Sequence, residues 1–185
     1  SDWLAPSFDD SNWISGETGM GYDVNDELTS LIRLNVQEQM KDANATAYVR
    51  VPFRVDDPSQ FDTLELSVRY DDGFVAYLNG VKVAEANAPA TLAWNSTADG
   101  SHEADGQESF TITDFKGELK TGENLLAIHG LNTSLTSSDF IINVSLISAE
   151  DPFKDFTSSN LPIIVVPTLT PRVRMPNDTP SIFLN

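Results

Sequence analysis

In this 185-residue sequence, most of the side chains suited to binding a metal ion or transferring a proton are carboxylates. Asp and Glu number 28 against 11 Lys and Arg, which gives a net charge of -17. Carboxylates are hard oxygen ligands, and calcium takes about six to eight of them from loosely arranged loops. The same negative charge repels polyanions, and no apolar run is long enough for a membrane span, so we expect neither nucleic acid binding nor membrane insertion.

Asp71 and Asp72 are the acidic pair that most clearly indicates a metal site. They stand between two strand-like segments, and the nearest basic residue in the sequence is Arg69. Adjacent acids repel each other unless a cation lies on them. We therefore predict that both ligate calcium, with Asn132 and Asp139 as completing ligands or sugar contacts, while an Asx turn at Asp72 is the alternative. Two further acidic segments, residues 9–10 and 23–27, are candidate calcium sites or ordinary turns.

Signatures of catalysis are weak in this sequence. The chain has no Cys and only two His, and it lacks the Gly-x-Ser-x-Gly motif of serine hydrolases. His129 alternates with apolar residues on a predicted strand, which indicates a packed histidine, and His102 lies in an acidic loop without a recognisable partner. Paired carboxylates suffice for glycosidase chemistry, but among this many acids such pairs arise by chance. We therefore predict a protein that is not an enzyme.

Trp94 is the aromatic residue best suited to contact a ligand. It lies in a long polar loop, residues 84–108, among Asn and Asp side chains. Long loops on a rigid scaffold commonly carry binding residues. A Trp ring stacks on the face of a sugar while amides and carboxylates bond its hydroxyls, whereas a Trp folded over the rim of the scaffold would be buried. The predicted sugar-binding residues are Trp94, Asn87, Asp72, Asn132 and Asp139.

Alternation of apolar and polar residues is the main structural signal. Residues 47–55 and 64–70 alternate in this way, which indicates strands with one buried face. Residues 74–78 and 81–83 flank Asn79-Gly80, a strong hairpin turn, so three successive antiparallel strands are expected from residue 64 onward. Further strands are predicted at 110–113, 124–131 and 140–147, and one short helix at 35–41.

The fold class and the domain boundary follow from these segments. Many short strands joined by turns rich in Gly, Asp and Asn, without crossover helices, predict an all-β fold, an antiparallel β-sandwich of jelly-roll topology with at most one or two short helices. Residues 1–149 form the predicted binding domain. The Pro- and Ser-containing segment 150–185 is predicted to be a linker and the start of a following module. Because the chain begins with Ser, we expect a piece of a longer protein.

Three segments together resemble galactose-binding-like jelly-roll domains. They are residues 3–13 (Trp-x-x-Pro-x-Phe-Asp-Asp-Ser-x-Trp), 70–80 (Tyr-Asp-Asp-Gly-Phe-Val-Ala-Tyr-Leu-Asn-Gly) and 119–128 (Leu-Lys-Thr-Gly-Glu-Asn-Leu-Leu-Ala-Ile). The longer run, including Asn87 and residues 130–132 and 137–140, more closely resembles an accessory domain of large secreted bacterial proteins that lies next to CotH kinase-like or lamin-tail modules. Residues 159–166 resemble the start of a CotH-type region. The Asp-Asp-Gly turn also resembles that of PA14-type lectin domains, in which the paired acids hold a calcium ion that holds sugar hydroxyls.

The residues and the resemblance together favour a non-catalytic carbohydrate-binding or adhesion module of a larger exported protein, supported by calcium. Its expected partners are a glycan or polysaccharide and the neighbouring domains of the same polypeptide, and its expected location is secreted or at the cell surface. Two alternatives remain open at this point. One is a structural spacer that packs against a neighbouring module and binds no ligand, and the other is an accessory fragment of a glycoside hydrolase.

Overall fold

The alternating segments form the strands of two sheets in a computed structural model that describes residues 2–149 and 172–174. Six of the eleven described strands lie within two residues of the predicted segments, and a seventh, at 81–86, extends three residues beyond its prediction. The four short strands at 14–15, 20–23, 34–35 and 172–174 were not predicted. The strands are β1 (Ile14–Ser15), β2 (Met20–Asp23), β3 (Leu34–Asn35), β4 (Thr46–Val55), β5 (Thr63–Asp71), β6 (Gly73–Leu78), β7 (Val81–Ala86), β8 (Glu108–Ile112), β9 (Gly122–Leu131), β10 (Asp139–Ala149) and β11 (Arg172–Arg174).

Helical structure is short and peripheral. One α-helix, α1 (Gln37–Met40), lies inside the segment predicted to be helical. In the described part of the chain, no helix has the length and apolar character needed to cross a membrane. Single turns of 3-10 helix occur at Asp2–Leu4, Pro58–Gln60 and Phe115–Gly117.

The strands are arranged in two layers. One sheet has six strands in the order β1-β11-β4-β9-β6-β7, and the other has five in the order β3-β2-β10-β5-β8. Neighbouring strands are antiparallel throughout, except that β2 and β3 pair in parallel. The predicted all-β class, an antiparallel β-sandwich with little helix, is confirmed.

The core lies between the two sheets and follows from the alternation. In β4, the apolar residues at odd positions from Ala47 to Val55 are buried and belong to the core cluster. Leu64, Leu66 and Val68 of β5 face them from the other layer. Burying a side chain of the size of Val or Leu contributes about 1.5–3 kcal/mol, so this double layer of apolar residues supplies the main stabilisation.

The expectation of three successive antiparallel strands is wrong for the first of the three. The Asn79-Gly80 hairpin joins β6 to β7 as predicted, with Leu78 opposite Val81 and both turn residues at positive φ. However, β5 belongs to the five-stranded sheet, so the chain crosses from one layer to the other at Asp72. Alternation specifies which face of a strand is buried, but it does not specify the partner strand.

The outer face of the six-stranded sheet is covered by the N-terminal segment. Arg50, on the polar side of β4, is only 3% exposed, and its Nε donates to Asp10 Oδ2 at 2.9 Å. Its Nη1 donates to the carbonyl oxygens of Trp3 and Ala5. His129, on the adjacent strand β9, is 2% exposed beneath aromatic rings, which confirms the prediction of a packed histidine.

The C-terminal segment adds one described strand to this sheet. β11 pairs with β1 on one side and with Tyr48 to Arg50 of β4 on the other. The predicted linker and the strand-like run at 161–166 lie outside the described residues. The boundary at residue 149 therefore stays a prediction.

Candidate functional site

Three acidic side chains meet at the end of the sandwich where β5 ends and β10 begins. Asp71 is the last residue of β5 and Asp139 is the first of β10, and the two strands are antiparallel neighbours. Glu103 comes from the long loop between β7 and β8. One carboxylate oxygen of each residue lies within 4.8 Å of the others. Two oxygens bound to one calcium ion are at most about 5 Å apart, so this cluster is compact enough to hold a metal ion.

Asp71 is the buried member of the cluster. It is 2% exposed, and its Oδ1 has no hydrogen-bond partner among the described residues. Burial raises the pKa of Asp71 to about 8, and the negative charges of Asp72, Asp139, Glu103 and Asp23 act in the same direction. A bound cation would supply the positive charge that this buried carboxylate lacks.

Asp72, which follows Asp71 through a cis peptide bond, connects two loops. It is 4% exposed, its Oδ1 accepts a hydrogen bond from the backbone N–H of His102 at 3.0 Å, and its Oδ2 accepts one from Thr133 at 2.8 Å. Its carboxylate is not part of the cluster of three. The observed role of Asp72 is to fix the loops beside the cluster, and its role as a calcium ligand stays a prediction.

His102 anchors the loop on one side of Glu103. Its imidazole stacks on the Tyr70 ring at 4.0 Å, and its Nε2 lies 2.7 Å from a carboxylate oxygen of Glu108. Its Nδ1 lies 3.1 Å from the carbonyl oxygen of Tyr70. These contacts join the loop to β5 and to the start of β8.

Arg69 anchors the loop on the other side of Glu103. Its Nε donates to the carbonyl oxygen of Ala104 at 2.7 Å, and its Nη2 donates to that of Asp105 at 2.6 Å. Glu103 is thus held between two anchored positions, although its own carboxylate is exposed. The sequence analysis missed Glu103, because a single acid in an acidic loop carries no pattern that assigns it to a strand end.

Asn132 supports the cluster from inside the fold. It is fully buried, and its Nδ2 donates to the backbone carbonyl of Asp139 at 2.8 Å and to Tyr22 Oη at 3.3 Å. Its Oδ1 has no hydrogen-bond partner among the described residues. Burial raises the pKa of Tyr22 to about 12, and the charge of Asp139 adds to this effect. The amide therefore holds the start of β10, and its predicted contact with a sugar stays untested.

A cleft of about 300 Å³ opens beside the cluster, between the loop that follows β2 and the loop that precedes β8. Its volume is at the lower end of the range for ligand-binding pockets. Leu28 and Leu31 contribute apolar surface on one side, and Ser30 contributes a hydroxyl. The charged residues of its lining are Glu27, Glu103, Asp105, Asp139 and Arg69.

Trp94 and Asn87 lie in the long loop but do not line this cleft. Trp94 is 56% exposed, as a sugar-stacking ring requires, and its carbonyl oxygen accepts a hydrogen bond from Tyr48 Oη at 2.7 Å. Asn87 is exposed, but its Nδ2 donates to the carbonyl oxygens of Asp72 and Gly100. Their roles as sugar contacts stay predictions.

The other two acidic segments form structural contacts. Asp9 accepts a hydrogen bond from Ser11 N, as in an Asx turn, and Asp10 pairs with Arg50. Asp23 accepts hydrogen bonds from Asn25 N at 2.7 Å and from Leu28 N at 2.5 Å. Asp23 therefore shapes the loop that forms one wall of the cleft.

Comparisons with known proteins give a distant likeness of fold. No family model matches the sequence, and no curated protein matches it. Among solved structures, the α-L-rhamnosidase of Streptomyces avermitilis, complexed with L-rhamnose, shares 16% identity over 74% of this chain and 11% of its own, with a TM-score of 0.44. The α-L-rhamnosidase of Dictyoglumus thermophilum shares 7% identity over 71% of this chain and 13% of its own, with a TM-score of 0.44.

A third α-L-rhamnosidase, from Aspergillus terreus, shares 18% identity over 64% of this chain and 13% of its own, with a TM-score of 0.38. The chain thus spans between a tenth and a seventh of the length of these enzymes. Likeness at this level concerns the arrangement of strands alone, so the chemistry of the site has to be argued from the residues themselves.

Proposed function

We propose that this chain is a calcium-supported, non-catalytic carbohydrate-binding module of a larger exported protein. The observation that carries the proposal is the buried, unpartnered Oδ1 of Asp71 within a cluster of three carboxylates that borders a polar cleft. The ion supports the site, and the glycan binds in the cleft next to it. The exposed ring of Trp94 is a second proposed sugar contact.

Calcium is the cation that fits these ligands best. The three carboxylates offer hard oxygens from two strand ends and one loop, and calcium accepts irregular sets of such oxygens. Magnesium requires near-ideal octahedral geometry, and zinc prefers nitrogen and sulfur ligands. Modules outside cells bind calcium with dissociation constants of about 0.1–1 mM, so we expect an affinity in this range for a secreted or cell-surface protein.

The absence of catalysis is proposed from the burial of the one carboxylate with a strongly raised pKa and from the contacts of the two histidines. Asp71 has a pKa suited to a general acid, but at 2% exposure it is too deeply buried to reach a substrate. His129 is equally buried, and His102 is held by Tyr70 and Glu108. A site that binds sugar without cleaving it is consistent with this arrangement.

Calorimetric titration of chelator-treated protein with calcium tests the metal site. We expect one site in the wild type, a loss of at least about tenfold in affinity for Asp71→Asn and for Glu103→Gln, and no change for the exposed control Asp56→Asn. Asp72→Ala tests whether Asp72 is a ligand in addition to fixing the loops. An unchanged isotherm for Asp71→Asn would refute the assignment of the ion.

A glycan array probed with and without calcium then separates binding from a spacer role. The proposed function predicts glycan binding that weakens when calcium is removed. A protein that binds calcium but no glycan would instead support the spacer alternative, with the ion stabilising the fold only. Hydrolysis of any bound glycan would support the glycosidase alternative.

A further inference from the structure

Most of the carboxylates that line the cleft have no partner among the described residues. Within the described residues, the side chains of Glu27, Glu103 and Asp105 make no hydrogen bond or ion pair. Asp139 accepts only from the hydroxyls of two serines, one of them Ser138 at 3.1 Å. Four acids therefore border one small cleft with little internal neutralisation.

Arg69 forms no ion pair with these acids within the described residues. It is the one basic residue of the cleft lining, and it takes part in no salt bridge within the described part of the chain. Its Nε and Nη2 donate to the backbone carbonyl oxygens of Ala104 and Asp105. These two bonds leave three of the five guanidinium N–H groups, whereas four carboxylates line the cleft, so acceptors outnumber donors.

The cleft stays negative after an ion binds. A divalent cation against Asp71, Glu103 and Asp139 leaves one net negative charge, and Glu27 with Asp105 adds two more. Arg69 removes one, so two negative charges remain at a cleft of about 300 Å³. A surface with a net charge of -17 adds to this field at low salt.

We propose that the cleft binds a glycan carrying positively charged amines, of the class of de-N-acetylated hexosamine polymers. This inference rests on the proposed carbohydrate-binding function and specifies the chemistry of its ligand. Most of the lining carboxylates lack partners among the described residues, and two members of the ion cluster, Glu103 and Asp139, belong to the same lining, so a positively charged group complements the cleft. Ammonium and hydroxyl groups donate to the carboxylates, while Leu28 and Leu31 contact the apolar face of a sugar ring.

Binding of defined oligosaccharides to the calcium-loaded protein, at low salt and mildly acidic pH, tests the proposal. The probes are a glucosamine hexamer, an N-acetylglucosamine hexamer, a galacturonic acid hexamer and a lysine pentamer. We expect the glucosamine hexamer to bind at least about tenfold more tightly than the acetylated and the acidic hexamers. Its affinity should fall steeply as salt is added, because the attraction is between exposed charges.

Matched variants locate the binding in the cleft. The double variant Glu27→Gln and Asp105→Asn removes two charges without touching the ion cluster, and we expect it to weaken glucosamine hexamer binding by about tenfold. The double variant Asp56→Asn and Asp114→Asn removes two exposed charges at the opposite end of the sandwich, and its binding should stay within about twofold of wild type. Ser30→Lys places a cation at an exposed position in the cleft and should also weaken binding.

The outcomes separate this inference from the proposed function. Equal or tighter binding of the acetylated or acidic hexamer, with calcium dependence intact, would overturn the inference and leave the function standing. Equal binding of the lysine pentamer would overturn the choice of a glycan as the ligand. A wild-type protein that binds none of the probes and no calcium would overturn the proposed function itself. Equal effects of the two double variants would show that the glucosamine hexamer does not bind in the cleft.

Discussion

Acid should destabilise the protein through His129. Burial under the rings of Trp3 and Tyr48 lowers the pKa of His129 to about 4, from an ordinary value of 6.5. The unfolded chain takes up a proton on this histidine below pH 6.5, whereas the folded protein resists protonation until about pH 4. The stability contributed by neutral His129 is therefore complete above pH 6.5 and is lost as the pH falls towards 4.

The size of this effect follows from the shift in pKa. One pKa unit corresponds to about 1.4 kcal/mol, so a shift of about 2.5 units costs about 3 kcal/mol of unfolding free energy by pH 4. Typical domains have about 5–15 kcal/mol in total, so this loss is large. His129 is 2% exposed and its Nε2 has no hydrogen-bond partner among the described residues, so solvent does little to reduce it.

Urea unfolding of wild type and His129→Gln between pH 7.5 and pH 4.5 measures the effect. Loss of carboxylate interactions lowers the stability of both proteins in acid, so the relevant quantity is the difference between them. We expect the variant to be less stable than wild type at pH 7.5, because the packed ring is lost. The difference in unfolding free energy between the two proteins should be about 2–3 kcal/mol smaller at pH 4.5 than at pH 7.5.

His102→Gln is the matched control, because this second histidine is partly exposed and is already held by a carboxylate. Measuring His102→Gln in the same way shows whether a shrinking difference in unfolding free energy is specific to the buried histidine. Parallel stability curves for wild type and His129→Gln over the whole pH range would refute the assignment of acid sensitivity to His129.

Three further predictions concern stability. In chelator at pH 7, Asp71→Asn should raise the unfolding free energy by up to about 4 kcal/mol in urea titrations. The wild type loses stability as the pH rises from the unfolded pKa of Asp71 towards its folded pKa of about 8, because only the unfolded chain releases the proton there, and Asn removes this loss. A lower unfolding free energy for the variant would contradict this. Asp10→Ala should cost about 3 kcal/mol in urea titrations, since it leaves the buried Arg50 without its carboxylate; a cost below about 1 kcal/mol would argue against a structural role. A chain ending at Ser148 should still unfold cooperatively on heating, because the core cluster formed by the described residues extends from residue 20 to residue 146. A non-cooperative melt would place the tail in this domain.

Much of the candidate site was within reach of the sequence. Asp71 was predicted as a ligand because adjacent acids repel each other unless a cation lies on them, and Asp139 was predicted with Asn132 as a completing ligand or sugar contact. Glu103 was not identifiable, because it joins Asp71 only through folding of a loop that returns to the same end of the sandwich. Asp72 resembles a ligand in sequence, but in the fold its two oxygens face the backbone N–H groups of His102 and Thr133.

The class of the fold and most of the long strands were predictable from the sequence alone. Alternation along β4 placed its odd positions in the core, and Asn79-Gly80 defined the β6–β7 hairpin, because both are properties of neighbouring residues. Only the tertiary structure decided that β5 and β6 belong to different sheets and that Glu103, Asp71 and Asp139 meet. Such pairings join residues far apart in the chain, and many partners satisfy the same local pattern, so only the packing of the whole sandwich selects among them.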